Sequence, residues 1–209
     1  MANWPMTLLQ EAEVRARLVR SLRMQGRIDE AMAEAVRIMA LHEKNREAPE
    51  MDGNWFVAMA AMEVAQIHHD LFGRIKFVLP IERMEKDLVE KASLFLKAQS
   101  EYLRTVRLRN PYWGLTAGVK IGRLYEDFYD DVMHAEIPAD LSTEDLVLYE
   151  AELKKQVRPL IAKAVNAYER NMALARAYGA TEEWTIETEA RLGRLKRILD
   201  EIPPQPESP

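Results

Sequence analysis

Residues 98–128, AQSEYLRTVRLRNPYWGLTAGVKIGRLYEDF, place the tightest constraint on what this chain can fold into. Apolar and aromatic residues recur at three- and four-residue steps up to Arg109, Asn110-Pro111 interrupts them, and the same period resumes from Tyr112 or Trp113. Proline disfavours the helical conformation of the residue before it, so the interruption reads as a true stop. The result is an αα-hairpin, and the rest of the chain repeats the arrangement. A chain made only of such hairpins is a bundle or a stack of them, all-α in either case.

Composition removes several alternatives. The chain has 209 residues, 48% hydrophobic and 30% charged, which is enough apolar material for a sizeable core. The formal net charge of −5 argues against a general nucleic-acid binder, which needs an excess of Lys and Arg for phosphate contacts. With no Cys, disulfides, thiolate nucleophiles and Cys-ligated zinc are excluded. No apolar run reaches the roughly 18 to 20 residues that span a bilayer, so no direct membrane insertion is expected. The opening MANWPMTLLQ lacks the basic-then-apolar layout of a signal peptide.

The helical period predicts pairs over about residues 7–41, 54–109 and 113–178, a final helix over 182–200, and a disordered Pro-rich tail over 202–209, in one domain spanning 1–201. Thr7 with Gln10 has the spacing of a capping box, and Gln25-Gly26-Arg27 breaks the first pair. Asp52 or Asn54 caps a helix rich in Ala and Met, expected to lie largely buried, with Gly73 as its stop. The connection 74–80 is too apolar for a free loop and should pack on a neighbouring helix. Gly118 and Gly122 each cost a helix roughly 1 kcal/mol relative to Ala, so close approach of a second helix is their expected reason. Ser142 or Thr143 opens a long helical pattern containing Pro159; since Arg158 is a poor N-cap, a kink is favoured over a new start. Gly179 ends that pattern and Thr181 caps the last helix.

Small residues precede an apolar or aromatic one by one turn along the chain: Ala31 then Ala35, Ala98 then Tyr102, Gly122 then Tyr125, and Ala164 then Tyr168. Small residues let two helices approach, and a ring fills the groove beside them. This pattern resembles the tetratricopeptide repeat (TPR), a helix pair of about 34 residues with sparse Gly, Ala, Tyr and Pro. Over residues 54–195 the succession KAQSEYLRTV, NPYWGLTAGVKIGRLYEDF, IPADLSTEDLVLYEAELKKQVRPLIAKAVNAYERNMALA and GATEEW looks like the C-terminal module of large bacterial TPR proteins, some associated with the cell envelope and gliding motility. The resemblance implies a right-handed superhelix of antiparallel helix pairs with an elongated last pair. It also implies a protein-protein interaction scaffold, in the periplasm or cell envelope for a fragment of an exported protein and otherwise in the cytoplasm.

Motifs that could carry chemistry are few. His68-His69-Asp70 offers metal-ligand residue types, but adjacent helix residues point about 100° apart and the Glu-x-x-His pair of di-iron bundles is missing. Asp127, Asp130, Asp131 and His134 share a helical face, for which a solvated helix end is the simpler explanation. No phosphate loop, nucleophile elbow or Ser/His/Asp set is recognisable, so neither catalysis nor a cofactor is expected. Charge is more informative. Arg104, Arg107, Arg109, Lys120 and Arg123 make the turn region basic, whereas residues 126–152 hold ten acidic residues and neither Lys nor Arg. Internal pairing would account for this, and so would a basic partner meeting the acidic loop 135–145.

In a TPR stack the first helices of successive pairs line the concave side. Helical phase then nominates Arg20 and Arg23, Met62, Gln66 and His69, and Arg123 and Asp127 as partner-binding residues, with Ala31, Ala98, Tyr102, Gly122, Tyr125, Ala164 and Tyr168 as packing residues. The leading expectation is a non-catalytic adaptor holding a peptide, helix or partner domain. A cap of a longer solenoid and a metal-dependent bundle enzyme are the alternatives. Self-association through the apolar connection 75–81 stays open.

Overall fold

The computed structural model describes residues 5–139, 141–180 and 182–202, excluding the side chains of 182–184. The expected Thr181 cap and most of the expected Pro-rich tail fall outside these residues. Among those described the chain is all-helical: α1 (Leu8–Met24), α2 (Ile28–Lys44), α3 (Trp55–Arg74), α4 (Ile81–Arg107), α5 (Pro111–Met133), α6 (Thr143–Ala177) and α7 (Glu182–Glu201), with a 3-10 turn at Pro49–Met51.

Local chemistry explains most helix ends. Thr7 and Gln10 form a reciprocal capping box at the start of α1. At its end Gly26, with φ +74°, closes a Schellman turn: its N–H donates to the Arg23 carbonyl and that of Arg27 donates to the Leu22 carbonyl. Gly179 ends α6 in the same way, with the N–H of Ala180 reaching the Ala175 carbonyl. Gly73 does not stop α3, which continues to Arg74. It has no positive φ, so no left-handed turn forms there. Pro111 is the first residue of α5, one or two residues earlier than the period predicts, because proline's fixed φ suits that position. Pro159 lies inside a helix that runs on through it.

Where the sequence suggests one domain over 1–201, contacts cluster the chain into two compact units. Unit 1 comprises Met1–Leu71 and Leu94–Ala117; unit 2 comprises Phe72–Ser93 and Gly118–Pro209. The boundary falls inside α3, α4 and α5, not in loops.

In unit 1, α1 and α2 pack as an antiparallel hairpin. Leu22, Ala31 and Ile67 form a core cluster that Ile28, Met32 and Leu71 extend. The unit-1 part of α3 is buried nearly all round, through Val57, Ala58, Met59, Ala60, Ala61, Met62, Val64, Ala65 and Ile67. A helix with so little polar surface belongs in an interior.

In unit 2, α5 and α6 approach closely at the two glycines. A Cβ on Gly118 would lie 2.0 Å from Asn171 Oδ1, and one on Gly122 would lie 2.3 Å from the Tyr168 ring. Those contacts exclude any larger residue without movement, which is the reason the helix tolerates the propensity cost. α7 runs antiparallel to α6, with Lys196 paired to Glu169 at 2.6 Å and Arg158 Nε donating to the Ile202 carbonyl at 2.9 Å. Its buried positions Thr188 and Leu195 are seven residues apart and share one face, and Ile202, just past its end, is buried too. In the connection after α3, Phe77 is buried, and Glu136 ties it down: its N–H donates to the Phe77 carbonyl and its carboxylate accepts from the Leu79 N–H.

Candidate functional site: a groove between α1 and α3

A wide depression in unit 1 lies between the first helix of the first pair and the first helix of the second. Arg17, Arg20, Ser21, Met24 and Gln25 line it from α1 and the turn after it; Trp55, Phe56 and Met59 line it from α3. Its volume is about 540 Å³. No carboxylate is among these residues, so its polar side consists of two guanidinium groups with the neutral Ser21 and Gln25, beside an apolar wall.

The wall is held in place by the turn at Asn110. Asn110 caps α5 by accepting from the Trp113 N–H at 3.1 Å, and its amide donates to the Gly53 carbonyl at 2.9 Å. Gly53 and Arg109 both adopt left-handed φ, +61° and +62°, and a Cβ on Gly53 would sit 3.4 Å from the Arg109 carbonyl oxygen. This clasp brings the start of α5 against the start of α3. Trp55 then packs against Tyr112 and Trp113 with ring centroids 4.8 and 5.2 Å apart. Asn54 caps α3 through its side-chain oxygen, which accepts from Phe56 and Val57. Trp55 is thus a braced but open ring, 43% exposed, and it lines the groove together with Met24, 72% exposed.

The two guanidinium groups are held differently from their neighbours. Arg17 pairs with Glu13 at 2.7 Å on the helix surface. Buried Glu63 takes its close contact from Arg23, 2.5 Å away, and Arg20 stands off at 3.7 Å. Arg23 also reaches Asp70 at 3.2 Å. Because Arg23 already compensates the buried carboxylate, Arg20 is available to turn toward a carboxylate in the groove at little cost.

Of the nominated partner-binding residues, only Arg20 lines this groove. Arg23 and Gln66 spend their polar groups internally, Arg23 on Glu63 and Asp70 and Gln66 on Asp70. Met62 and His69 are buried, and His69 Nδ1 shares a 2.9 Å hydrogen bond with the Tyr102 hydroxyl. Their assignment to an open face is corrected accordingly: α3 has core on nearly every side, so its helical phase does not mark a solvent-facing stripe. Arg123 and Asp127 belong to unit 2, where Arg123 pairs with Glu187 and Asp127 is half-buried. The seven nominated packing residues are all buried.

Most members of the metal-like clusters are bonded to protein partners, whereas His68 Nδ1 is buried without one among the described residues. Asp70 is bound by Arg23 and Gln66, and His69 by Tyr102. Asp130 meets Arg194 at 3.4 Å, Asp131 accepts from Lys76 and Lys91, and His134 is bonded to the Asp130 carbonyl. Among the described residues no three His, Asp or Glu side chains are placed to hold an ion together.

The first part of the acidic run, Glu126, Asp130 and Asp131, is paired inside unit 2. Glu126 is buried and accepts from the Tyr168 hydroxyl at 2.9 Å, Arg191 at 3.0 Å and Arg194 at 2.6 Å. Burial foremost, with Glu126 beside it, raises the Tyr168 hydroxyl well above the ordinary tyrosine range. Burial raises Asp130 in the same way, with Arg194 opposing. Lys91, fully buried, bonds to Asp131 and to the carbonyls of Phe72 and Ile75, with its ammonium 3.8 Å from the Phe72 ring centroid. Desolvation lowers its pKa and Asp131 opposes the shift.

Sequence reasoning missed Trp55, Phe56, Met24, Met59 and Arg17. An aromatic pair at a helix start beside a Met at a helix end was the available signal, but periodicity assigns such residues to the core. The fold defines the class as all-α, and none of the helices among the described residues is long and apolar enough to cross a membrane. The chain matches no protein-family model, and no curated protein or solved structure is similar to it.

Proposed function

We propose that the chain is a non-catalytic interaction scaffold of TPR-like helix pairs whose α1–α3 groove holds a segment of another protein. One observation carries this reading: two guanidinium groups and the braced Trp55 face one cleft lined by no carboxylate. That chemistry suits a segment carrying an apolar side chain next to an acidic one. The apolar group enters between Met24 and Trp55, and the carboxylate draws Arg20 away from Glu63. The groove lies between first helices of successive pairs, the side a TPR-like superhelix presents to partners.

A photo-crosslinking residue at Met24, in cells that express the full chain, tests it. A discrete partner band is expected, lost with Arg20→Glu or Trp55→Ala and absent when the crosslinker sits at Arg46. Equal labelling from both positions would overturn the reading. A second reading, a cap for a longer solenoid, is favoured by α7, which buries a single seam and turns a charged outer face to water. Under that reading the captured protein is the polypeptide's own upstream repeats.

A further inference from the structure

We propose that the chain self-associates through the amino-terminal arm of α6, pairing antiparallel with the same arm of a second copy. This rests on unit 2 alone and is independent of the α1–α3 groove. α6 begins at Thr143, yet its first buried residue is Val157. One face of the intervening arm is covered in part: Leu146 and Leu153 are half-buried, and Tyr149 is 37% exposed. Tyr149 and Leu153 lie on an apolar cleft of about 200 Å³ shared with Ile81, Met84, Leu88 and Val132. The opposite face is also apolar and is bare: Val147 is 66% and Leu148 71% exposed, with Ala151 exposed one turn on. A helix with apolar groups on both sides is stable when both sides are covered, and the chain covers one of them in part and the other not at all.

Charge order identifies the occupant. Along the arm Glu144, Asp145, Glu150 and Glu152 come first, and Lys154, Lys155 and Arg158 come after them. A uniformly charged partner would be repelled at one end. A second copy laid antiparallel meets opposite charge at both ends, as a two-fold interface requires. Glu144, Leu148, Ala151 and Lys155 are spaced four, three and four residues apart and share one face. Antiparallel pairing of that stripe sets Leu148 of each copy over Ala151 of the other and Glu144 against Lys155 of the other. Ala151 has no bulk to hold the backbones apart. Within one chain Lys155 is 3.5 Å from Glu152, a half-exposed pair that re-partners readily. A single helix pair of this length buries less than the roughly 1,200 Å² of a standard interface, so the dimer should dissociate on dilution.

Sedimentation equilibrium of the full chain, from low micromolar to submillimolar concentration, tests the proposal. A reversible monomer–dimer equilibrium that weakens with added salt is expected. Leu148→Glu should leave the circular dichroism spectrum unchanged, because the side chain is exposed, and should abolish the dimer. Glu144→Lys and Lys155→Glu should each raise the dimer dissociation constant about tenfold, since two symmetric attractions become repulsions, and the double variant should return it to within about threefold. A chain that stays monomeric throughout overturns the proposal. So does a dimer that survives Leu148→Glu, or one that the double reversal fails to restore.

Discussion

At the scale of single residues, side chains with similar sequence signals have opposite environments. Gly114 and Gly122 both sit inside α5, but a Cβ on Gly114 meets nothing within 4 Å, whereas one on Gly122 meets the Tyr168 ring. Gly114→Ala should therefore raise unfolding free energy by about 0.5–1 kcal/mol and Gly122→Ala lower it by about 1–3 kcal/mol, both read from urea titration. Tyr168 gives a pH prediction. Its folded pKa is raised, so the folded state keeps the proton after the unfolded chain has lost it. The stability this contributes is complete below about pH 10 and falls by about 1.4 kcal/mol per pH unit as pH rises toward the folded value. Tyr168→Phe should flatten the alkaline limb of a stability–pH curve by that slope; an unchanged limb would contradict the burial argument. The sequence showed Tyr168 as a packing ring. It could not show that the hydroxyl meets Glu126, because the bond joins residues 42 positions apart.

At the scale of elements, helix positions were legible and their surroundings less so. Caps and stops depend on a few adjacent residues, which is why Thr7, Gly26, Ser142 and Gly179 mark helix ends in sequence and structure alike. A glycine ends a helix only where its backbone turns left-handed, and Gly73 does not, a difference that residue type alone does not encode. The apolar period also cannot distinguish a face buried within the chain from one left bare, as in the first turns of α6. Those turns rest on Ser142, whose side chain accepts from the Asp145 N–H at 3.1 Å, and on the half-buried Leu146 and Leu153. Amides of residues 146–155 should accordingly exchange hydrogen faster than those of 161–175 in dilute protein. Ser142→Ala should speed the first group further, by a factor matching about 1 kcal/mol, with little effect on the second. Uniform protection along α6 would rule out a weakly held arm.

At the scale of the whole molecule, reading helices two by two suggests sequential hairpins, but contacts group them otherwise. The last turn of α3 and the first half of α4 cluster with the later part of α5, α6 and α7: Phe72 of α3 sits 5.7 Å from Phe128, edge to face, and Lys91 of α4 supplies a cation to Asp131. None of this has a periodic signature: a buried lysine looks in sequence like any surface lysine of an amphipathic helix. The acidic run was legible as charge but not as partners, since Arg191 and Arg194 reach Glu126 from more than 60 positions away. The discontinuity has a direct consequence. A fragment of residues 118–209 retains most of α5 and all of α6 and α7, yet lacks Phe72, Phe77 and Lys91. Asp131 then loses its fully buried partner and Phe128 its neighbouring ring, so the inner face of the remaining α5 turns is opened to water. Such a fragment should keep helical circular dichroism, bind a hydrophobic dye and unfold in urea over a broad range without a sharp midpoint. A steep transition matching the full chain would mean that 72–93 is dispensable to unit 2. Restoring 72–93 as a separate peptide should sharpen the transition, and Lys91→Met in that peptide should reduce the effect by removing the ammonium that bonds the Phe72 and Ile75 carbonyls and by leaving Asp131 with the exposed Lys76 as its cation.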